Sequence, residues 1–360
     1  ERNNAMNLPT RIPCGSSWTN GHVQGIAIDE QRGHIYYCFT TVLVKTDLRG
    51  TVLGTVGHLA GHMGCITIDP ARRRLYGSLE LKHDIIGQGI IKNNGGWNPS
   101  AEDSFYLAAF DIDRIDRVGM DAEADGVMKA VYLRDVVKDY TEPDERCGLA
   151  HRYGCSGIDG IGLGPVFGAG ADSRQKIMIA YGIYSQPQMR GNDYQVILQF
   201  DPDTVDRYGQ PLCQEAPHHA GPESCEARYF LYTGNTNFGI QNLENDPFTR
   251  RWLVAVYAGK KPEFPNYPMF FIDGTVPARE DELTDRGGER GLLLTLATGT
   301  EEQNGITGCR FPWGQTGIWA RGDGTYWFSQ PTYDRENRLH STTLVRYRYD
   351  PAAPDGFCEQ

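Results

Sequence analysis

One eight-residue pattern occurs five times in this chain, and that recurrence limits the fold more than any other feature. The first two copies are His22-Val-Gln-Gly-Ile-Ala-Ile-Asp29 and His62-Met-Gly-Cys-Ile-Thr-Ile-Asp69, and residues 157–164, 239–246 and 314–321 align beneath them. The fifth position is Ile or Leu in every copy. Each copy is followed by a polar turn and then by an apolar run carrying Tyr, Trp or Phe, at 34–39, 74–79, 176–181, 252–257 and 325–329. Strand, turn and strand recurring in this way mark an architecture assembled from small repeated sheets.

Each repeat extends to four strands. The first comprises 23–29, 34–39, 42–47 and 51–56, with a tight turn at Leu48-Arg49-Gly50. The second uses 64–69, 74–79, 105–111 and 128–133; the third 159–164, 176–181, 194–201 and 227–233; the fourth 241–245, 252–257, 269–273 and 291–296. The fifth offers 317–321, 325–329 and 342–350 but lacks an outer strand, which residues 7–13 are expected to supply. The result is an all-β chain: a five-bladed β-propeller closed by an N-terminal strand, one domain with blades near 22–60, 62–140, 156–235, 239–300 and 314–350 plus 7–13. A β-sandwich is the simpler alternative, but it leaves five copies of one pattern unexplained.

Composition agrees. A chain of 360 residues with 39% hydrophobic residues buries a large core, and 43 Gly with 20 Pro suit many turns better than long helices. The net charge of −11 argues against nucleic acid or an anionic membrane surface as partner. No apolar stretch approaches the roughly 20 residues of a membrane span. From Glu1 onward there is no basic, apolar leader, so any signal peptide is expected to be already removed or absent.

Nine cysteines bear on the compartment. Cys213 with Cys225 and Cys147 with Cys155 each bracket a short polar excursion, and Cys14 and Cys358 lie near the chain ends. None has the close CxxC spacing of a zinc knuckle, so disulfides are expected, and with them a secreted or periplasmic setting. Cys38 and Cys65 fall within strands and read as buried thiols. No pairing is assigned to Cys309.

In a propeller the repeated pattern forms the innermost strand of each blade. Antiparallel neighbours then bring its start, the end of the second strand and the following loop to one face. Those loops are long (81–104, 182–193, 258–268 and 330–341), which marks this face as the place for a site. The inner strands deliver His22, Gln24, His62, Asp159, Gln241 and Gln315. The second strands deliver Thr40, Glu80, Tyr181, Tyr257 and Gln330, with Lys82, His83, Asp84, Tyr184, Arg190, Lys260 and Lys261 on their loops. Any one of these has an ordinary structural role open to it, such as a hydrogen bond to the next blade. His34 and His340 read as surface residues. The convergence of His22 and His62, at equivalent positions of neighbouring repeats, carries the functional argument.

This architecture resembles the five-bladed propeller families of glycoside hydrolases. The resemblance implies a funnel-mouth site with one carboxylate on each of three blades, serving as acid, base or nucleophile and as pKa modulator. The equivalent places here hold His22, His62 and Asp159, with Glu80 near them, a departure from paired-carboxylate hydrolysis.

The leading expectation is therefore cleavage of an oligo- or polysaccharide, in particular a uronate-containing glycan, by β-elimination. His22, His62 or Tyr181 removes the proton, Asp159 or Glu80 assists, and Arg190 or Lys260 neutralises the uronate, with Gln24, His83, Tyr184, Gln241, Tyr257, Gln315 and Gln330 binding substrate. A hydrolase using Asp159 and Glu80 is the second reading. A lactonase or phosphohydrolase with a divalent metal ion on His22 and His62 is the third. A lectin is the non-catalytic alternative, although a lectin propeller is expected to repeat its pocket in every blade.

Overall fold

The computed structural model describes residues 6–360. Five sheets are arranged around a central axis as a five-bladed β-propeller, and the repeated pattern is the inner strand of each. Blade 1 runs outward through Val23–Asp29, His34–Phe39, Val42–Asp47 and Val52–Gly57, to which the short strand Met120–Asp121 adds in parallel. Blade 2 has His62–Asp69, Arg74–Leu81, Ser104–Asp111 and Met128–Tyr132. Blade 3 has Cys155–Pro165, Gln175–Ile183, Tyr194–Phe200 and Ala227–Tyr232.

The pattern itself explains how the blades pack. Apolar side chains from adjacent blades interdigitate in five clusters, one per interface. Trp252 and Ile240 pack against Met178 and Ile197 between blades 3 and 4, for example, and Trp327 and Leu344 against Val23 and Tyr37 between blades 5 and 1. Inner strands approach so closely that a Cβ at Gly25 would lie 2.8 Å from the Ile66 nitrogen, and one at Gly64 2.9 Å from the Asp159 carbonyl oxygen. The terminal Asp of the pattern shapes the turn: Asp69 accepts from the Arg72 N–H at 3.1 Å and Asp246 from the Phe248 N–H at 3.0 Å.

Closure of the ring is as expected. Arg11–Pro13 pairs antiparallel with the last long strand, placing Ile12 opposite Leu344. A second cover, Phe357–Glu359, pairs farther along the same strand and was not foreseen.

The outer edge of blade 4 differs from expectation. Arg290–Leu293 lies parallel to Ala227–Tyr232, extending blade 3, and forms a hairpin with Arg279–Glu282. Only the continuation reaches blade 4, whose strands Asn237–Asp246, Arg251–Tyr257 and Met269–Asp273 it edges through Asp273 N–H to Thr295 O at 2.8 Å and Ala297 N–H to Phe271 O at 2.8 Å. The apolar run 292–296 thus bridges two blades, and its alternation does not encode which edge it joins. Blade 5 is Ile318–Ala320, Thr325–Asp334 and Leu339–Tyr349. Among the described residues three α-helices, Ile85–Asn93, Arg134–Thr141 and Asp203–Tyr208, lie between strands.

All nine cysteines are free thiols. The expected bridges fail because each partner faces a different environment. Cys155 is buried on an inner strand with its thiol toward the Gly157 carbonyl, whereas the Cys147 thiol points to the Asp285 carbonyl. Cys225 is half-buried with its backbone N–H on Asp135, whereas Cys213 is exposed. Cys14 sits beside Ser16 and Cys358 beside Asp350. These residues lend no support to an oxidising compartment.

Candidate functional site at the funnel mouth

A cavity of about 540 Å³ opens on the face that carries the long loops. Such a volume lies within the range of small-molecule binding pockets. Of the residues singled out in the sequence, His22, Gln24, Thr40, His62, Glu80, Lys82, Asp159, Gln241 and Tyr257 line it.

Its centre is a buried charge cluster assembled from blades 2 and 3. Glu80 stands directly across from His62 in the strand pairing. Nδ1 of His62 lies 3.2 Å from Glu80 Oε1 and 3.6 Å from Asp159 Oδ1. Glu80 is fully engaged: Oε1 is also 3.0 Å from Lys82 Nζ, and Oε2 accepts from the Ile158 N–H at 2.9 Å. Lys82 donates in addition to the Ser156 carbonyl and lies 3.4 Å from Asp84 Oδ2. Asp84 in turn accepts from Tyr184 Oη at 2.6 Å and caps the helix Ile85–Asn93 through the Gly87 N–H at 2.8 Å.

The two carboxyl groups are driven apart in acidity. Burial favours the neutral form of both. At Glu80 the Lys82 charge and the His62 hydrogen bond outweigh it and hold the group below its ordinary range. At Asp159 burial is the largest effect; the nearby His62 charge opposes it, but burial, reinforced by the Glu80 charge, prevails and pushes the group up to about 7. Asp159 Oδ1 has no hydrogen-bond partner among the described residues, while Oδ2 accepts from Gln241 Nε2 at 3.3 Å. His62 is raised: burial opposes its charge, but the Glu80 hydrogen bond and the Asp159 charge prevail. With Nδ1 committed to Glu80, the remaining ring nitrogen of His62 is the one left for a ligand.

His22 and His62 are equivalent in sequence but not in setting. In blade 1 the place of Glu80 is taken by Thr40, whose hydroxyl accepts from Gln24 Nε2 at 3.1 Å. His22 has no carboxylate partner; desolvation and the neighbouring His62 and His340 lower its pKa, so it is the neutral imidazole of the pair.

Other expected residues lie elsewhere. Tyr181 is fully buried between blades 2 and 3 and donates to Asp139 Oδ2 at 2.7 Å, because strand alternation turns Gly182, not Tyr181, toward Ser156 and Asp159. His83 is held in its own loop by Asp103 Oδ1 at 2.8 Å, with Nε2 3.0 Å from both Asn98 Oδ1 and Ser100 O. Tyr184 reaches the cluster only through Asp84. Arg190 and Lys260 are exposed and do not line the cavity; their loops are tied inward through Lys261 to Asp193 at 2.6 Å instead. Gln315 donates to the Val256 carbonyl at 3.1 Å and Gln330 to Tyr347 Oη at 3.0 Å. Among the described residues no group of three or more His, Cys, Asp or Glu is placed to hold a metal ion, and His22 and His62 do not form one.

Lys82 stands just past the end of the strand Arg74–Leu81, on the loop and at the mouth as expected. Its part in the cluster has a sequence signal: Glu80, Lys82 and Asp84 alternate with Leu81 and His83, which puts the three charges on one side of an extended segment. His340, read as a surface residue, lines the cavity, as do Phe238 and the helix residues Ile86 and Ile90. Below the cluster the channel is crossed by Asn242, which donates to the carbonyls of Gln24 at 2.9 Å and Gln315 at 3.1 Å and accepts from the Cys65 thiol.

Fold and site together define a five-bladed β-propeller with an acid–base cluster enclosed in its funnel. No family description matches the chain, and no curated protein is similar to it in sequence. Among solved structures, the PQQ domain of pyranose dehydrogenase from Coprinopsis cinerea, in its holo form, is similar with a TM-score of 0.37 and 11% identity, over 89% of this chain and 81% of that one.

Proposed function

We propose that this chain is a carbohydrate-active enzyme that cleaves a glycosidic bond by acid–base hydrolysis in the funnel mouth. One observation carries the reading: a single buried imidazole, His62, lies beside two carboxyl groups whose environments shift their acidities in opposite directions. Such divergence assigns acid and base roles. Glu80 holds Nδ1–H of His62, and the other ring nitrogen takes a proton from water as its oxygen bonds to the anomeric carbon. Asp159, in its protonated form below about pH 7, passes its proton to the departing glycosidic oxygen as that carbon–oxygen bond breaks. Gln24, Gln241 and Asn20 offer amides to sugar hydroxyls, and Tyr257 and Phe238 supply aromatic surface.

Hydrolysis is favoured over elimination by charge. Lys82 is the only Lys or Arg lining the cavity among the described residues, and Glu80 and Asp84 already neutralise it. A uronate carboxylate would find no free cation there, which favours an uncharged sugar. The test is incubation with neutral and uronate-containing oligosaccharides. New reducing ends without ultraviolet absorption support the proposal; a product absorbing as a conjugated unsaturated uronate would overturn it in favour of elimination.

A further inference from the structure

The second and third strands of blade 5 are long. Thr325–Asp334 and Leu339–Tyr349 continue the hairpin past the rim, and residues 331–338 are all exposed. The projection is built rather than loose. Asp334 accepts from the N–H groups of Glu336 at 3.0 Å and Asn337 at 3.2 Å and from Asn337 Nδ2 at 2.7 Å, and Trp18 exchanges two backbone hydrogen bonds of 2.8 Å with His340.

On this hairpin Tyr333 and His340 stand directly opposite each other, so their side chains share one face. Their rings are stacked, with centroids 4.3 Å apart and planes at 23°. Tyr333 keeps 49% of its surface exposed, and His340 lines the cavity with its ring centroid 6.4 Å from that of His22. The rings of His22, His340 and Tyr333 therefore form a continuous trail from the cavity to the projecting hairpin. An ordered aromatic face of this kind, beside a cavity rich in amides, suits the apolar face of a sugar ring.

We propose that the Tyr333–His340 pair is an outer subsite that binds an additional sugar ring of an oligomeric substrate. This rests on the carbohydrate reading of the cavity, but its test is binding, not turnover. Full-length His62→Gln protein, alone and combined with Tyr333→Ala or Tyr333→Phe, is titrated calorimetrically with gluco-, manno-, xylo- and arabino-oligosaccharides of increasing length and with the matching methyl monosaccharides. The expected result is one series whose affinity rises with length. Tyr333→Ala should lower affinity for the longer members roughly three- to tenfold, the scale of one aromatic contact, while sparing the monosaccharide. Tyr333→Phe should retain the gain. Equal length dependence with and without the Tyr333 ring, or no binding by any series, overturns the subsite. Length-dependent binding by a protein whose unmutated form never releases reducing ends would instead overturn the hydrolase proposal and leave the subsite standing.

Discussion

Nδ1 of His62 lies 3.2 Å from Oε1 of Glu80, its direct cross-strand neighbour, and this contact separates two histidines that the sequence presents as equals. His22→Ala and His62→Ala are both expected to fold. Turnover should fall by roughly 10² or more in His62→Ala, the scale of a lost general base. His22, without a carboxylate partner, should change KM more than kcat. Steady-state kinetics and melting temperature on the same two proteins decide it: a larger kcat loss in His22→Ala would remove Glu80 from its orienting role.

The acidity of Asp159 sets the alkaline limb of the rate profile. As a general acid it must be protonated, so activity should decline as pH rises through about 7. The acid limb comes from protonation of His62, and both limbs belong to the coupled pair. Asp159→Asn should lose most turnover on an alkyl glycoside yet keep it on a nitrophenyl glycoside, whose leaving group needs no proton. Equal losses on both would exclude Asp159 as the acid.

At the opposite end of the channel, Glu244 accepts from the Ala320 N–H at 2.8 Å, and burial raises its pKa from the ordinary 4.5 to about 8. Between those values the native state holds a proton that the unfolded chain releases, so stability falls as pH rises through this window. Glu244→Gln keeps the acceptor and removes the titration. Its melting temperature is expected to drop less between pH 5 and pH 9 than that of the parent; parallel curves would contradict this.

The N-terminal strand is expected to be required for closure. Removing residues through Pro13 exposes the partner strand around Leu344, deletes the buried Leu8 and Ile12, and takes away the Pro9 carbonyl that accepts from Trp327 Nε1 at 3.0 Å. Ile12→Ala alone should cost about 2–5 kcal/mol in denaturant unfolding. A truncated chain that melts with the parent would show that the ring closes without it.

Thiol counting checks the cysteines. Denatured protein should titrate nine free thiols without reductant, and reductant should leave the melting temperature unchanged. A count of seven or fewer would restore a staple.

The sequence by itself determined the blades. A pattern with Ile or Leu at one fixed place, five times over, specifies five inner strands, because strand alternation and an apolar interface are local properties of the chain. Even closure by residues 7–13 was legible, since a fifth repeat without an outer strand leaves an edge to be covered. Alternation in Glu80, Lys82 and Asp84 was equally readable. What the tertiary structure alone decided depends on distances between segments far apart in the chain. Asp159 reaches His62 only because blade 3 closes against blade 2, and register shifts in both inner strands alter which side chains face inward. Tyr181 lost its place to Gly182 through strand parity, residues 290–293 joined blade 3 rather than blade 4, and no two cysteines met. The acidity of Asp159 is likewise collective: it arises from exclusion of water and from a neighbour's charge, neither of which any one stretch of sequence contains.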